Sequence, residues 1–167
     1  MTDNKIKKIF SVIPALATEG MIFFFSAQNG DESGALSGGI AAKVARFIFK
    51  IFGNGRNPEE SEEFLRNLES AIREMGHAGE HALLMLTVFL AVSAFTKKDN
   101  GKLNFVLRIC AAFIITVFCA FLDELHQYFI PGRASEIFDV FVDTMGALAM
   151  ALFITVIRLF TNSRKKN

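Results

Sequence analysis

Apolar residues fall into four runs, and the polar residues crowd at their ends. The first run covers 9–25 and is interrupted by Thr18 and Glu19. The second, LLMLTVFLAVSAF, is short, but extended backward through HAGEH it covers 77–95, close to the ~20 residues a helix needs to cross a bilayer. The third covers 103–122 and is the most uniformly apolar. The fourth covers 137–160, with Asp139 and Asp143 near its start. The pattern predicts an all-α membrane fold: one domain over 1–167, built as a four-transmembrane-helix bundle. No internal repeat or low-complexity tract divides it.

The long connection after the first run has helical periodicity of its own. Ile40, Val44, Phe47, Ile48 and Ile51 share one face, and Lys43, Arg46 and Lys50 take the other, the pattern of an interfacial amphipathic helix. A turn, GNGRNP, follows. Pro58 then opens a second helix, with acidic residues in its first turn and Phe64, Leu65, Leu68 and Ile72 on its apolar face. Lipid surface and helix bundle are both suitable cover for these faces.

Composition sharpens this picture. The 167 residues are 51% apolar with a net charge of only +1, so no global basic field points to nucleic acid. Cys110 and Cys119 lie nine apart in one run, roughly 13 Å along a helix axis, too far for a disulfide. A cleaved leader is a rival reading of the first run, but Glu19 breaks its apolar stretch and three further spans follow. Basic residues gather at the N-terminus (Lys5, Lys7, Lys8), in TKKDNGK and in the tail (Arg164, Lys165, Lys166). The positive-inside rule predicts a cytoplasmic N-terminus and C-terminus, with 26–76 and the third connection outside.

With that topology the unusual polar residues share one depth at the outer face. Ser26 and Gln28 end the first span. His77, Glu80 and His81 open the second. Asp123, Glu124, His126 and Gln127 close the third. Arg133 follows in Pro-Gly-Arg, and Asp139 and Asp143 open the fourth. Ionisable groups at membrane depth are costly, so such a cluster marks a site or a wet cavity. Gly76, Gly79 and Gly146 are expected to let helices approach closely. HAGEH also matches the inverted zinc-protease pattern, which would make His77 and His81 ligands and Glu80 a base. That metal set, completed by Asp123, is an alternative to a site without metal.

Three stretches carry a family resemblance: FFFSAQNGDESGALS, HAGEHALL and DELHQYFIPGRASEIFDVFVDTMGAL. In this order they resemble the VanZ-like bacterial membrane proteins. The resemblance implies a four-span protein of the bacterial cytoplasmic membrane; the family's founding member is associated with low-level teicoplanin resistance. Two departures are visible. His81 stands where the family commonly has an aromatic residue, and Ala149 or Met150 replaces a second small residue in the fourth span.

The expected function is a role in cell-envelope homeostasis or glycopeptide tolerance, exercised on a lipid-linked precursor or phospholipid head group. Candidate catalytic residues are His77, Glu80, Asp123, Glu124, Gln127 and Asp139. Ser26, Gln28, Arg133 and Asp143 are candidates for ligand binding. Neighbouring carboxylates in a dry site can supply both an acid and a base, and Arg133 can hold a phosphate. The bilayer is the expected partner, and no resident cofactor is expected. Alternatives are a non-enzymatic module whose polar residues stitch the bundle, a metal-dependent hydrolase using His77, Glu80 and His81, and an oligomeric transporter using Glu19.

Overall fold

A computed structural model describes residues 2–52, 62–96, 102–133 and 137–164. Six helices cover them: α1 (Thr2–Phe10), α2 (Ile13–Ser26), α3 (Gly30–Phe52), α4 (Glu62–Phe95), α5 (Lys102–Gln127) and α6 (Ile137–Arg164). No strand occurs among the described residues. Four segments are long and apolar enough to cross a membrane: Ile6–Ser26, Glu62–Phe95, Leu103–Gln127 and Ile137–Arg164. The four-span all-α expectation is met.

The first span is interrupted by a two-residue turn, Ser11 and Val12, between α1 and α2. Pro14 sits in the first turn of α2, where its missing N–H is tolerated and its ring blocks a straight continuation from α1. Thr18 Oγ1 returns a hydrogen bond to the Pro14 carbonyl at 2.9 Å.

The largest departure from the sequence reading is α4. Phe64, Leu65, Leu68 and Ile72 do not belong to a separate surface helix; they lie on the same continuous helix as the second span. The turn GNGRNP and Pro58 lie outside the described residues. Gly76 and Gly79 each weaken a helix by roughly 1 kcal/mol, which is too little to break one anchored by packing on both sides. At 34 residues α4 is about 51 Å long, well beyond the ~30 Å hydrocarbon thickness. Its N-terminal turns therefore project past the core, and α3 packs against them. Ser37 Oγ donates to Glu69 Oε1 at 3.2 Å, a Cβ added at Gly38 would meet the Glu69 carboxylate at 3.6 Å, and Phe49 meets Phe64 edge-on at 5.5 Å.

The face that α3 buries is not its large apolar one. Ser37, Ala41 and Ala45 are buried, whereas Ile40, Val44, Phe47 and Ile51 remain exposed. Small side chains let the two helix axes come close, and the bulky stripe is left for another environment. An Asn29–Glu32 capping box starts α3: Glu32 N–H donates to Asn29 Oδ1 at 2.9 Å and Asn29 N–H to Glu32 Oε2 at 3.3 Å.

The bundle core is small and centred on Ile22, Leu84, Met85, Val88, Ala112, Ala147 and Ala151. Large side chains such as Phe118, Phe121 and Phe153 point outward, as expected where the surroundings are lipid. The tightest approach lies between α4 and α6. A Cβ at Gly146 would collide with the Ala78 carbonyl oxygen and lie 2.7 Å from two Ala78 backbone carbons. Gly76 and Gly79, expected to serve the same purpose, face open space. The small residue of α4 at the crossing is Ala78.

Candidate functional site

The site lies where α2 and α5 end and α6 begins, against the middle of α4. Position on α4 explains much of it. Residues 73, 77, 80 and 81 recur at helical spacing, so Arg73, His77, Glu80 and His81 occupy one side of the helix. Asp143 on α6 is brought against that side by the Gly146–Ala78 contact one turn away.

His81 is fully buried, and its Nδ1 lies 3.3 Å from the His77 carbonyl and 3.1 Å from Asp143 Oδ1. His77 Nδ1 is 3.8 Å from the same Asp143 oxygen. Asp143 is 1% exposed. On α5, Asp123 and Gln127 are one turn apart and both buried. The Gln127 amide donates to Asp123 Oδ2 at 2.9 Å and to Ser26 Oγ at 3.2 Å, tying α5 to the end of α2. His126, from the same segment, turns away and stacks on Phe23 with ring centroids 4.2 Å apart. Glu124 is buried beside Asp123 in sequence, and the charges of Glu124 and Asp139 both act on Arg133.

Arg133 is presented by a tight turn. Gly132 has φ +76°, a conformation glycine adopts without strain, and its carbonyl stands where a Cβ on Gly30 would be. The Arg133 Nε donates to the Gln28 carbonyl at 3.1 Å and its Nη2 to the Phe25 carbonyl at 3.0 Å. A cation thus closes the carbonyl end of α2, where the helix dipole favours it. Burial pulls the guanidinium below its usual pKa; Asp123 opposes that pull, and Arg73 adds to it by repulsion. It remains cationic at any physiological pH.

These groups border a cavity of about 150 Å³. Its polar lining comes from Ser26, Gln28, Ser33, Ser37, Arg73, His77, Glu80 and Arg133. Its apolar lining includes Phe25, Leu36, Ile40 and Ile72. Of the expected residues, Ser26, Gln28, His77, Glu80 and Arg133 therefore reach one cavity, while Asp123, Gln127 and Asp143 stand behind it. Asp139 is partly exposed at the start of α6 and does not line it. Arg73 was missed by the sequence reading. Its signal was its place four residues before His77, usable only if α4 was taken as continuous.

The metal-capable set among the described residues is His77, Asp123 and Asp143, each offering a donor atom within 4.8 Å of the others. Asp143 thus stands where the inverted zinc pattern would put His81. Glu19 is elsewhere, beside a second cavity of about 440 Å³ with a mostly apolar lining that includes Leu84, Val88 and Cys119.

Four helices long and apolar enough to cross a membrane, with acids, histidines and an arginine gathered at one end, mark a multi-pass membrane protein. The family model described as VanZ/LLP1 matches residues 10–158, nearly the whole chain, and the protein belongs to that family. No curated protein and no solved structure matches it.

Proposed function

We propose that this VanZ-family protein binds the phosphate-bearing head group of a membrane lipid in the cavity between α3, α4 and the Pro131–Arg133 turn. One observation carries the reading: two guanidinium groups, Arg73 and Arg133, border the same small cavity as three hydroxyls and a histidine, against a single carboxylate, Glu80. Two cations that repel across a cavity are reconciled by an anion between them, and guanidinium suits phosphate geometry. The apolar side of the cavity, with Leu36, Ile40 and Ile72, accommodates the start of a hydrocarbon chain. Phospholipids and lipid-linked wall precursors both offer this chemistry. The physiological sphere is envelope homeostasis in the bacterial cytoplasmic membrane, with teicoplanin-type tolerance as one outcome. Lys7, Lys8 and Arg164 support a cytoplasmic placement of both termini, which puts the cavity at the outer face.

Farnesyl phosphate and farnesol differ only in the phosphate, so they test the reading directly. The purified full chain in detergent should be stabilised by farnesyl phosphate and much less by farnesol. Arg73→Gln, a change at an exposed side chain, should weaken the phosphate-dependent part by about tenfold. Equal stabilisation by both compounds, or an unaffected Arg73→Gln variant, would refute it. A cysteine placed in the third connection should label in intact cells; labelling only after permeabilisation would reverse the orientation.

A non-enzymatic structural module, its polar residues stitching the helix bundle together, is the second reading. It is favoured by the Gln127–Ser26 bond and by the Arg133 bonds to α2, which tie helices together and leave those groups less available for chemistry.

A further inference from the structure

We infer that His77, Asp123 and Asp143 form a binding site for one divalent transition-metal cation, zinc or manganese, directly behind the head-group cavity. It deepens the head-group reading and rests on it only for what the metal faces. Donor atoms sharing one metal stand no farther apart than twice the bond length, about 4–5 Å for the common divalent ions. The three donors all lie within 4.8 Å of one another, and His77 Nδ1 is 3.8 Å from Asp143 Oδ1. They come from three different helices, so they are brought together by the fold and not by local helical spacing.

A second observation is independent of the spacing. Asp143 is 1% exposed, yet its Oδ1 has no hydrogen-bond partner among the described residues, and neither has His77 Nδ1. His81 lies 3.1 Å from that oxygen but without hydrogen-bond geometry, its Nδ1 being turned to the His77 carbonyl. Two buried carboxylates this close also repel; Arg133, whose charge reaches Asp123, gives its Nε and Nη2 hydrogen bonds to backbone carbonyls. A divalent cation answers both problems: it takes the donor atoms left without hydrogen bonds and adds to the charge compensation that His81 gives Asp143 and Arg133 gives Asp123.

The surroundings resemble the outer support of a metal site. Gln127 fixes Asp123 through Oδ2, and Ser26 in turn accepts from Gln127. His81 stands against Asp143. One imidazole with two carboxylates favours zinc or manganese over calcium. Because His77 also lines the cavity, a metal held there would lie next to the proposed phosphate.

The test uses the full chain in detergent, stripped with chelator, desalted and titrated with zinc chloride or manganese chloride without added lipid. Bound metal is measured by mass spectrometry, and thermal melting is followed in parallel. The wild type should take up about one equivalent and melt higher with metal. Asp143→Asn and His77→Gln should each lose at least about tenfold in affinity, and Gln127→Leu, at a positioning residue, about 10–100-fold. His126→Gln, whose ring stacks on Phe23, should bind like the wild type. Wild type that takes up no metal, or folded Asp143→Asn with unchanged uptake, overturns the site. Should Asp143→Asn fail to fold, Asp123→Asn and the wild-type melting shift decide in its place. Farnesyl phosphate binding to chelated protein reports separately on the head-group reading, so the two can fail independently.

Discussion

Replacing Gly146 by alanine should destabilise the protein, against the ordinary effect of that change. In a helix interior alanine is favoured over glycine by about 1 kcal/mol. Here the added Cβ would lie 2.7 Å from two backbone carbons of Ala78 and closer still to its carbonyl oxygen. Favourable carbon–carbon contacts begin near 3.5 Å, so α4 and α6 must separate locally by about 1 Å. Backbone cannot rotate aside as a flexible side chain can. Overpacking of this kind costs about 1–3 kcal/mol, enough to outweigh the propensity gain. The separation falls one turn from Asp143 and one residue from His77. Their 3.8 Å approach would lengthen toward 5 Å, beyond what one cation can bridge. Thermal melting in detergent, with Gly79→Ala as the control, measures the effect. Gly79 faces open space, so its alanine variant should melt at or above the wild-type temperature. Gly146→Ala should melt several degrees lower. Wild-type melting of Gly146→Ala, or an equal loss in Gly79→Ala, would show that the α4–α6 crossing is not packed as described.

Arg133→Lys should not rescue Arg133→Ala, because an ammonium cannot make the Nε and Nη2 bonds to Gln28 and Phe25 together; both variants should lose about 1–3 kcal/mol in denaturation. Gln127→Leu should lower melting by a similar amount by leaving Asp123 Oδ2 and Ser26 Oγ without their donor, and melting equal to the wild type would contradict the bridge. Asn29→Ala should cost about 1 kcal/mol and raise protease sensitivity at the start of α3. Ala45→Leu should detach α3 from α4, whereas Phe47→Ser should leave the fold intact in detergent and weaken attachment of that helix to vesicles.

The number of spans was legible because hydropathy over ~20 residues reports directly on the solvent a helix prefers. The polar cluster was legible for the same reason: Asp143 or His81 in an apolar run is costly, so its presence signals partners. The continuity of α4 was not, because two glycines and a polar stretch look locally like a helix start. Only packing of α3 on one part and α6 on another carries the helix through them. With continuity unread, Arg73 was separated from His77 although the two are one turn apart. Which face of α3 packs on the bundle was left open for a related reason. Its strongest periodic signal belongs to Ile40, Val44, Phe47 and Ile51, yet Ser37, Ala41 and Ala45 make the contact. Periodicity identifies the face that avoids water, and in a membrane protein lipid satisfies that face as well as protein does.

By itself, then, the chain's residue pattern determined four apolar helices and the polar groups that must meet at one end, since both follow from the cost of placing each side chain in hydrocarbon. Tertiary structure alone decided which of those groups touch. The Gly146–Ala78 approach sets Asp143 beside His77 and His81, Gln127 joins Asp123 to Ser26, and the Gly132 turn sends Arg133 to the end of α2. Such pairings depend on helix rotation and spacing to within an ångström, which interhelical contacts set and no single helix encodes.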